Sequence, residues 1–346
     1  MALSETTLAE RLNSFGYHTG LFGKWHLGAA KTHGPTRQGF DEFFGHRGGF
    51  IHNFNHYFLH REGFHDLYEA TTEQFHPNEY FPDLMVNRAV DFIERHRNEP
   101  FFLYVPFNLP HYPEQADANY HQYYLKHNEP RRSYGKALSA MDHRVGTVVQ
   151  TIERLGIRDD TIIIFMSDNG HSTEDYQIKV DNHLSGLARG TNYGPRGGSG
   201  NTGKWRGSKN SFYEGGIRVP AIISYPKSLP QQITRNQVIT AADWFPTIED
   251  LCGLPNSEEE LDGRSLVSIA TDNSPSHHKV LHWQWFDRWA VREGDWKLIN
   301  DKGIFLGNLS DENPEQVNYA DAKPEIVARL TRLHDDWSRQ VSPSPN

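Results

Sequence analysis

The chain has 346 residues, 36% hydrophobic and 23% charged, a balance that suits a large globular core and excludes a coiled coil or a disordered chain. Its 35 basic and 44 acidic residues leave a net charge of −9, which argues against a broad nucleic-acid surface and leaves any anionic ligand to a local cluster of cations. The single cysteine, Cys252, excludes an internal disulfide framework, and in Leu251-Cys252-Gly253-Leu254-Pro255 it reads as a packed core thiol.

No run of 18 apolar residues occurs, so no membrane span is expected, and Met1-Ala2-Leu3-Ser4-Glu5 has neither the basic start nor the apolar stretch of a secretory signal. The spacing of Thr6 to Leu12 predicts a helix behind a Ser4-x-x-Thr7 start, followed by a short strand over Tyr17 to Gly23. A second helix fits Leu84 to Arg97, with the buried strand Pro100 to Phe107 after it. A third runs from about Tyr134 to Leu155, before the strand Ile162 to Met166. Strands alternating with helices imply a mainly parallel sheet covered on both faces. Residues 182–203 form a glycine-rich loop, too long for a simple connection, that is expected to shape a binding mouth. Pro220 to Tyr225 reads as a strand, Ala242 to Leu251 as a helix, and residues 254–260 as a polar break. Beyond it come short strands at Val280 to Trp283, Trp289 to Arg292 and Trp296 to Ile299, with Glu293-Gly294-Asp295 as hairpin chemistry, and a last helix from Pro324 to Trp337. The expected architecture is therefore an α/β class three-layer α/β/α sandwich with a mainly parallel, mixed sheet over 1–262, plus a small C-terminal antiparallel sheet and helix over 263–346.

Four segments carry residue types suited to chemistry. In Thr161-Ile162-Ile163-Ile164-Phe165-Met166-Ser167-Asp168-Asn169-Gly170 an apolar run stops at an acid and an amide, two hard oxygen donors of the kind Ca²⁺ or Mg²⁺ prefers, at the carboxyl end of a strand where α/β sheets place their ligands. Taken alone, Asp-Asn-Gly is equally good turn chemistry. Gly23-Lys24-Trp25-His26-Leu27-Gly28 puts a cation and an imidazole two residues apart, on one side of an extended segment. Asn108-Leu109-Pro110-His111-Tyr112-Pro113 follows a predicted strand, with prolines flanking the histidine. Residues 205–220 combine Lys209 and Glu214 with Gly215-Gly216, which permits close backbone approach.

Read together, these segments resemble the sulfatases, the family within the alkaline-phosphatase-like fold that cleaves sulfate esters with a formylglycine nucleophile and a bound Ca²⁺. The likeness rests on Gly23-Lys24-Trp25-His26-Leu27-Gly28, Pro110-His111-x-Pro113, Ser167-Asp168-Asn169-Gly170, Lys209 with Glu214-Gly215-Gly216-Ile217-Arg218-Val219-Pro220, and Val291-Arg292-x-Gly294-Asp295-Trp296-Lys297-Leu298-Ile299. It implies that Asp168 and Asn169 are Ca²⁺ ligands and that Lys24 and Lys209 hold the sulfate oxygens. It also implies that His26 serves the nucleophile's hydroxyl, and that His111 contacts the sulfate and helps the leaving oxygen depart. Positive charge placed where negative charge builds up is what such an ester requires.

The sequence departs from the family at Cys/Ser-x-Pro-x-Arg, the nucleophile motif, and at the two leading metal-binding aspartates. His33-Gly34-Pro35-Thr36-Arg37 echoes the spacing with histidine in the wrong place, and Cys252 lacks the proline two positions on. Two expectations follow: a sulfatase whose nucleophile lies upstream of this chain, or an inactive remnant that binds sulfate or metal. Weak Ca²⁺ binding is expected of Asp168 and Asn169 alone. A phosphoesterase of the same superfold would use a second metal where Lys24 and Lys209 stand. The expected substrate is a sulfated small molecule or carbohydrate, the latter from Trp205, Tyr193, His183 and the long loop; family members are commonly exported.

Overall fold

The computed structural model describes residues 2–193, 199–255, 257 and 261–341. The chain divides into two compact units, Met1–Thr161 with Ser172–Gly200, and Ile162–His171 with Asn201–Asn346, so the sequence boundary after residue 262 falls inside the second. Parts of the expected long loop and of the polar break at 254–260 lie outside the described residues.

The first unit opens with α1 (Leu8–Asn13), and here the starting residue differs from the expected Ser4 pattern. Thr7 is the N-cap: its Oγ1 accepts from Glu10 N at 3.0 Å and Glu10 Oε2 accepts from Thr7 N at 2.8 Å, closing a capping box. Next come β1 (His18–Lys24), β2 (Glu42–His46), four two-residue strands β3 (Tyr57–Phe58), β4 (Phe64–His65), β5 (Tyr68–Glu69) and β6 (Thr72–Glu73), then α2 (Phe81–His96), β7 (Phe101–Tyr104) and α3 (Arg131–Arg154). One sheet has the order β6-β5-β2-β1-β7, parallel where β1 meets β2 and β7, antiparallel where β2 meets β5 and β5 meets β6. Side-chain alternation along β1 sorts the layers. Leu21 packs with Ala9 of α1, Trp25, Phe40 and Phe43, whereas Phe22 packs with Phe44, Phe81, Met85, Ala89 and Phe92 on the α2 side. The sheet is thus covered on both faces, as the sequence pattern anticipated.

In the segment between β7 and α3, Glu114 is half-buried, and burial pushes its carboxyl up from 4.5 to about 7 against a hydrogen bond donated by Ser133 Oγ at 2.9 Å, with Glu129 adding to the rise. A raised carboxyl favours the protonated folded form, so its contribution is complete below the unfolded pKa and is lost as pH rises through about 7. Glu114→Gln is therefore expected to match the parent near pH 4 and to be more stable near pH 8, by about 1 kcal/mol once solvent screening is allowed for. Urea unfolding at both pH values checks this, and an equal effect at the two would contradict it.

The second unit holds β8 (Ile163–Met166), α4 (Glu214–Ile217), β9 (Ala221–Ser224), α5 (Trp244–Leu251), α6 (Val267–Asp272), the strands β10 (Val280–Trp285), β11 (Arg288–Glu293), β12 (Trp296–Asn300) and β13 (Ile304–Asn308), and α7 (Pro324–Val341). The apolar run at β8 differs from the strand buried on both faces that it suggested. It pairs antiparallel with β9, and Phe165 and Ile222 are 38% and 59% exposed. Apolarity says what a strand tolerates, whereas its neighbours decide what is covered, and β8 has one ladder partner among the described residues.

The C-terminal sheet runs β10-β11-β12-β13, antiparallel throughout. Gly294, at φ +58, is the first of two loop residues between the paired Glu293 and Trp296, as a type II′ hairpin turn requires. Val291, Leu298 and Leu306 pack with Leu330 of α7, giving the small sheet its core. Cys252 is half-buried at the end of α5 rather than fully enclosed.

Candidate functional site

The site residues fall into two clusters, one in each unit. In the first, β1 delivers Lys24 at its carboxyl end, where Lys24 pairs in register with His46 of β2. The backbone beyond is tied down: Lys24 N–H donates to Pro106 O at 2.8 Å, Trp25 N–H to His46 O at 2.9 Å and His26 N–H to Arg47 O at 3.2 Å. Trp25 is buried, its indole N–H donating to His33 O at 3.0 Å. His26 is left-handed, at φ +54, so simple extended alternation from Lys24 does not hold and a backbone turn sets the imidazole's direction instead. Its ring lies over Gly49.

His111 joins this cluster from the loop after β7. Both flanking X-Pro bonds, Leu109–Pro110 and Tyr112–Pro113, are cis. Its Nδ1 donates to Tyr112 O at 2.8 Å, which fixes the ring against the loop's own backbone. The ring stacks on Phe50 with centroids 5.3 Å apart. Buried Asn53 pins the same loop, donating from Nδ2 to Pro113 O at 3.1 Å and accepting from Asn108 Nδ2 at 2.7 Å, while its backbone N–H donates to Gln115 Oε1 at 2.8 Å.

His46 sits at the centre of these groups and was missed by the sequence reading. It is fully buried, with Nδ1 3.0 Å from Gly48 O, and Nε2 has no hydrogen-bond partner among the described residues. Burial, then the charge of Lys24, with His26 and His111 adding, holds it well below 6.5. Lys24, His26 and His111 are thus close enough to act on one buried imidazole, which stays neutral at pH 7. Asp66 fixes the turn after it, accepting from Arg47 N at 3.1 Å and Gly48 N at 2.7 Å; burial raises its carboxyl despite those bonds.

In the second unit, Ser167-Asp168-Asn169-Gly170 turns directly off β8. Ser167 Oγ donates to Asn169 O at 3.0 Å, and Asn169 Nδ2 to Gly170 O at 2.8 Å, which orients the side-chain amide and leaves its acceptor character on Oδ1. Lys209 N–H donates to His171 O at 2.9 Å, and Gly170 N–H to Gly216 O at 2.9 Å. A Cβ on Gly170 would lie 1.8 Å from Gly215 O, so the backbones meet where no side chain fits. Asp168, Asn169 and Lys209 are therefore carried on two loops stitched together.

Beneath the Lys209 loop lies a buried ion network that the motif reading left without a role. Lys297, with no exposed side chain, reaches Glu214 Oε1 at 2.8 Å and Glu315 Oε1 at 3.3 Å, and Glu315 Oε2 accepts from Glu214 N at 2.8 Å. Burial alone would raise the Glu214 carboxyl, but Lys297, with Arg292 and Arg218, brings it below 4.5. In Glu315 burial prevails, and that carboxyl is raised.

Two residues suggested as sugar contacts are interior. Tyr193 is buried among Phe50, Leu59, Tyr112 and Ile178, and His183 is buried with Nδ1 2.7 Å from Ser185 Oγ. Aromatic and imidazole side chains in a polar loop look the same whether they face outward or close a small core. Trp205 has Arg218 stacked over its ring at 4.1 Å.

This α/β fold, with its cations, imidazoles and oxygen donors at strand ends, is of the sulfatase type. The chain belongs to the sulfatase family, whose model matches residues 2–254. It is 26% identical over 403 positions to arylsulfatase J of Mus musculus, covering 99% of this chain and 64% of that protein. To the arylsulfatase of Hemicentrotus pulcherrimus it is 30% identical over 311 positions, covering 85% of this chain and 51% of that protein. It thus spans about half to two thirds of the length of these curated relatives. Among solved structures, Ps i-CgsB in complex with k-i-k-neocarrahexaose superposes with a TM-score of 0.80 and 26% identity over 97% of this chain and 75% of that one.

Proposed function

We propose that this chain contributes to sulfuric ester hydrolysis, with Lys24 and Lys209 holding the sulfate oxygens and His111 assisting departure of the leaving oxygen. The observation that carries this reading is the gathering of Lys24, His26 and His111 around His46 within one unit. Positive and hydrogen-bonding groups fixed before the reaction stabilise developing negative charge without reorganisation. His26 is proposed to serve the nucleophile's hydroxyl, and the formylglycine nucleophile to be supplied from outside these 346 residues, since no Cys/Ser-x-Pro-x-Arg occurs among them.

Asp168 and Asn169 fit Ca²⁺ by the hardness of their oxygens, and supply part of the six to eight that the ion takes. Bound there, the ion would polarise a sulfate oxygen. The proposed substrate is a sulfated small molecule or carbohydrate; the saccharide held by Ps i-CgsB supports the latter.

The test is an upstream-extended polypeptide bearing the nucleophile motif, matured by the formylglycine machinery and assayed on aryl and sugar sulfates. Hydrolysis of at least one is the expected result. Binding of sulfate without turnover in that polypeptide would favour the remnant, and neither binding nor turnover would remove the reading altogether.

A further inference from the structure

Away from both clusters, at the opposite end of β1 from Lys24, three potential ligands meet. His18 opens β1, His96 ends α2 and Glu99 lies in the turn between α2 and β7. Among the described residues this is the one group of three or more histidine, cysteine, aspartate or glutamate side chains whose ligand atoms all lie within 4.8 Å of one another. Backbone bonds fix all three positions. His18 N–H donates to Pro100 O at 3.0 Å, Glu99 N–H to His96 O at 3.0 Å, and His18 pairs in register with Phe101.

The spacing carries the argument. Glu99 Oε2 is 3.5 Å from His18 Nε2 and 3.4 Å from His96 Nδ1, longer than good N–H···O bonds of about 2.7–3.2 Å. Two ligand bonds of about 2.1 Å meeting at a tetrahedral angle put their donor atoms about 3.4 Å apart. The imidazoles stack with centroids 4.1 Å apart and planes 26° from parallel, and a ring rotation would aim both in-plane lone pairs at an ion among the three ligand atoms, which already lie within 4.8 Å of one another.

We propose that His18, His96 and Glu99 form a surface site for a divalent transition metal such as Zn²⁺. Two imidazoles with one carboxylate favour such ions over Ca²⁺ or Mg²⁺, and the partly exposed His18 and Glu99 leave room for water as a further ligand. Capture at His96 Nδ1 shifts the ring proton to Nε2. Glu42 Oε1, 3.8 Å from that nitrogen, is the carboxylate positioned to accept it, as outer carboxylates do for metal-bound histidines. Arg95, which now donates to Nε2 at 3.2 Å, gives up that contact and keeps its bonds to Glu42 and Asp91. The bound ion would tie the start of β1 to the end of α2.

Isothermal titration of Zn²⁺ into the chain tests this without any activity readout, so it stands or falls separately from the sulfatase reading. The expected result is one dominant site, with affinity lowered at least about tenfold in His18→Gln and in Glu99→Gln and unchanged in Asp168→Asn. Zn²⁺ is expected to raise the melting temperature of the parent, reversibly with chelator, and not that of His18→Gln. Circular dichroism separates a misfolded variant from a lost ligand, and His96→Gln provides a third variant. Absence of a Zn²⁺ site in the parent, or undiminished binding in the folded His18→Gln/Glu99→Gln double variant, would overturn the proposal.

Discussion

Lys24→Ala is expected to lower kcat/KM for a sulfate ester about 10²- to 10³-fold in the nucleophile-bearing polypeptide, the loss typical when one preorganised group aimed at developing charge is removed. The backbone bond from Lys24 to Pro106 and the register pairing with His46 do not involve the side chain, so the strand end should persist without it. A second readout needs no turnover. Burial and then the Lys24 charge hold His46 far below 6.5, so removing the ammonium moves the His46 titration upward, although burial keeps it depressed. Imidazole NMR across the pH range follows this in the 346-residue chain. An unmoved His46 titration together with unchanged kcat/KM would end the assignment of Lys24 to the site.

Lys297→Ala is expected to cost about 3–5 kcal/mol of stability, because it leaves the Glu214 and Glu315 carboxylates buried without the cation between them. The sign of the pH dependence should change as well. In the parent, the Glu214 pKa lies below its ordinary value, so its contribution is present above the unfolded pKa and is lost as pH falls through the folded one. Without Lys297, Arg292 and Arg218 still oppose burial but the largest opposing charge is gone, so the carboxyl moves upward and the variant is expected to suffer more at high pH than at low. Lys297→Met combined with Glu214→Gln and Glu315→Gln should recover much of the loss, since apolar and neutral groups carry a smaller desolvation cost. Denaturant unfolding near pH 5 and pH 8 measures both effects, and equal stability of the parent and Lys297→Ala would show the network to be neutral. Lys209 is expected to feel this change through Glu214, because Gly215 N–H, next in the chain, donates to Arg206 O at 2.7 Å within the Lys209 loop.

Periodicity made the long helices readable: α2, α3 and α7 carry apolar stripes that local spacing reveals, with ends displaced by a few residues because the first and last turns lie beyond the reach of the stripe. Strand β2 escaped notice because Glu42-Phe43-Phe44-Gly45-His46 is short and glycine-broken, and its place is fixed by pairing with β1 rather than by its own pattern. The same limit hid His46, an ordinary strand-end histidine until folding brings Lys24, His26 and His111 near it. Lys297 stood inside a recognised motif, yet its partner Glu214 is 83 positions away, and Glu315 lies 101 from Glu214. No local signal reports such a meeting. The reverse error befell Tyr193 and His183, whose polar loop suggested a sugar-facing surface while their side chains close a core of their own.

The contact between Gly170 and the Gly215-Gly216 backbone has a consequence for mutational scanning. Alanine there would place a methyl carbon inside the van der Waals radius of a carbonyl oxygen, so the smallest possible change should score among the most damaging, although no atom of Gly170 performs chemistry. A tolerance map would show intolerance at Gly170, Gly215 and Gly216 beside Asp168 and Asn169, so that residues proposed to hold a ligand and residues that merely yield space look alike. Alanine tolerance alone cannot separate them; replacing Asp168 and Asn169 by near-isosteric amide or acid can, because Gly170 has no such substitute.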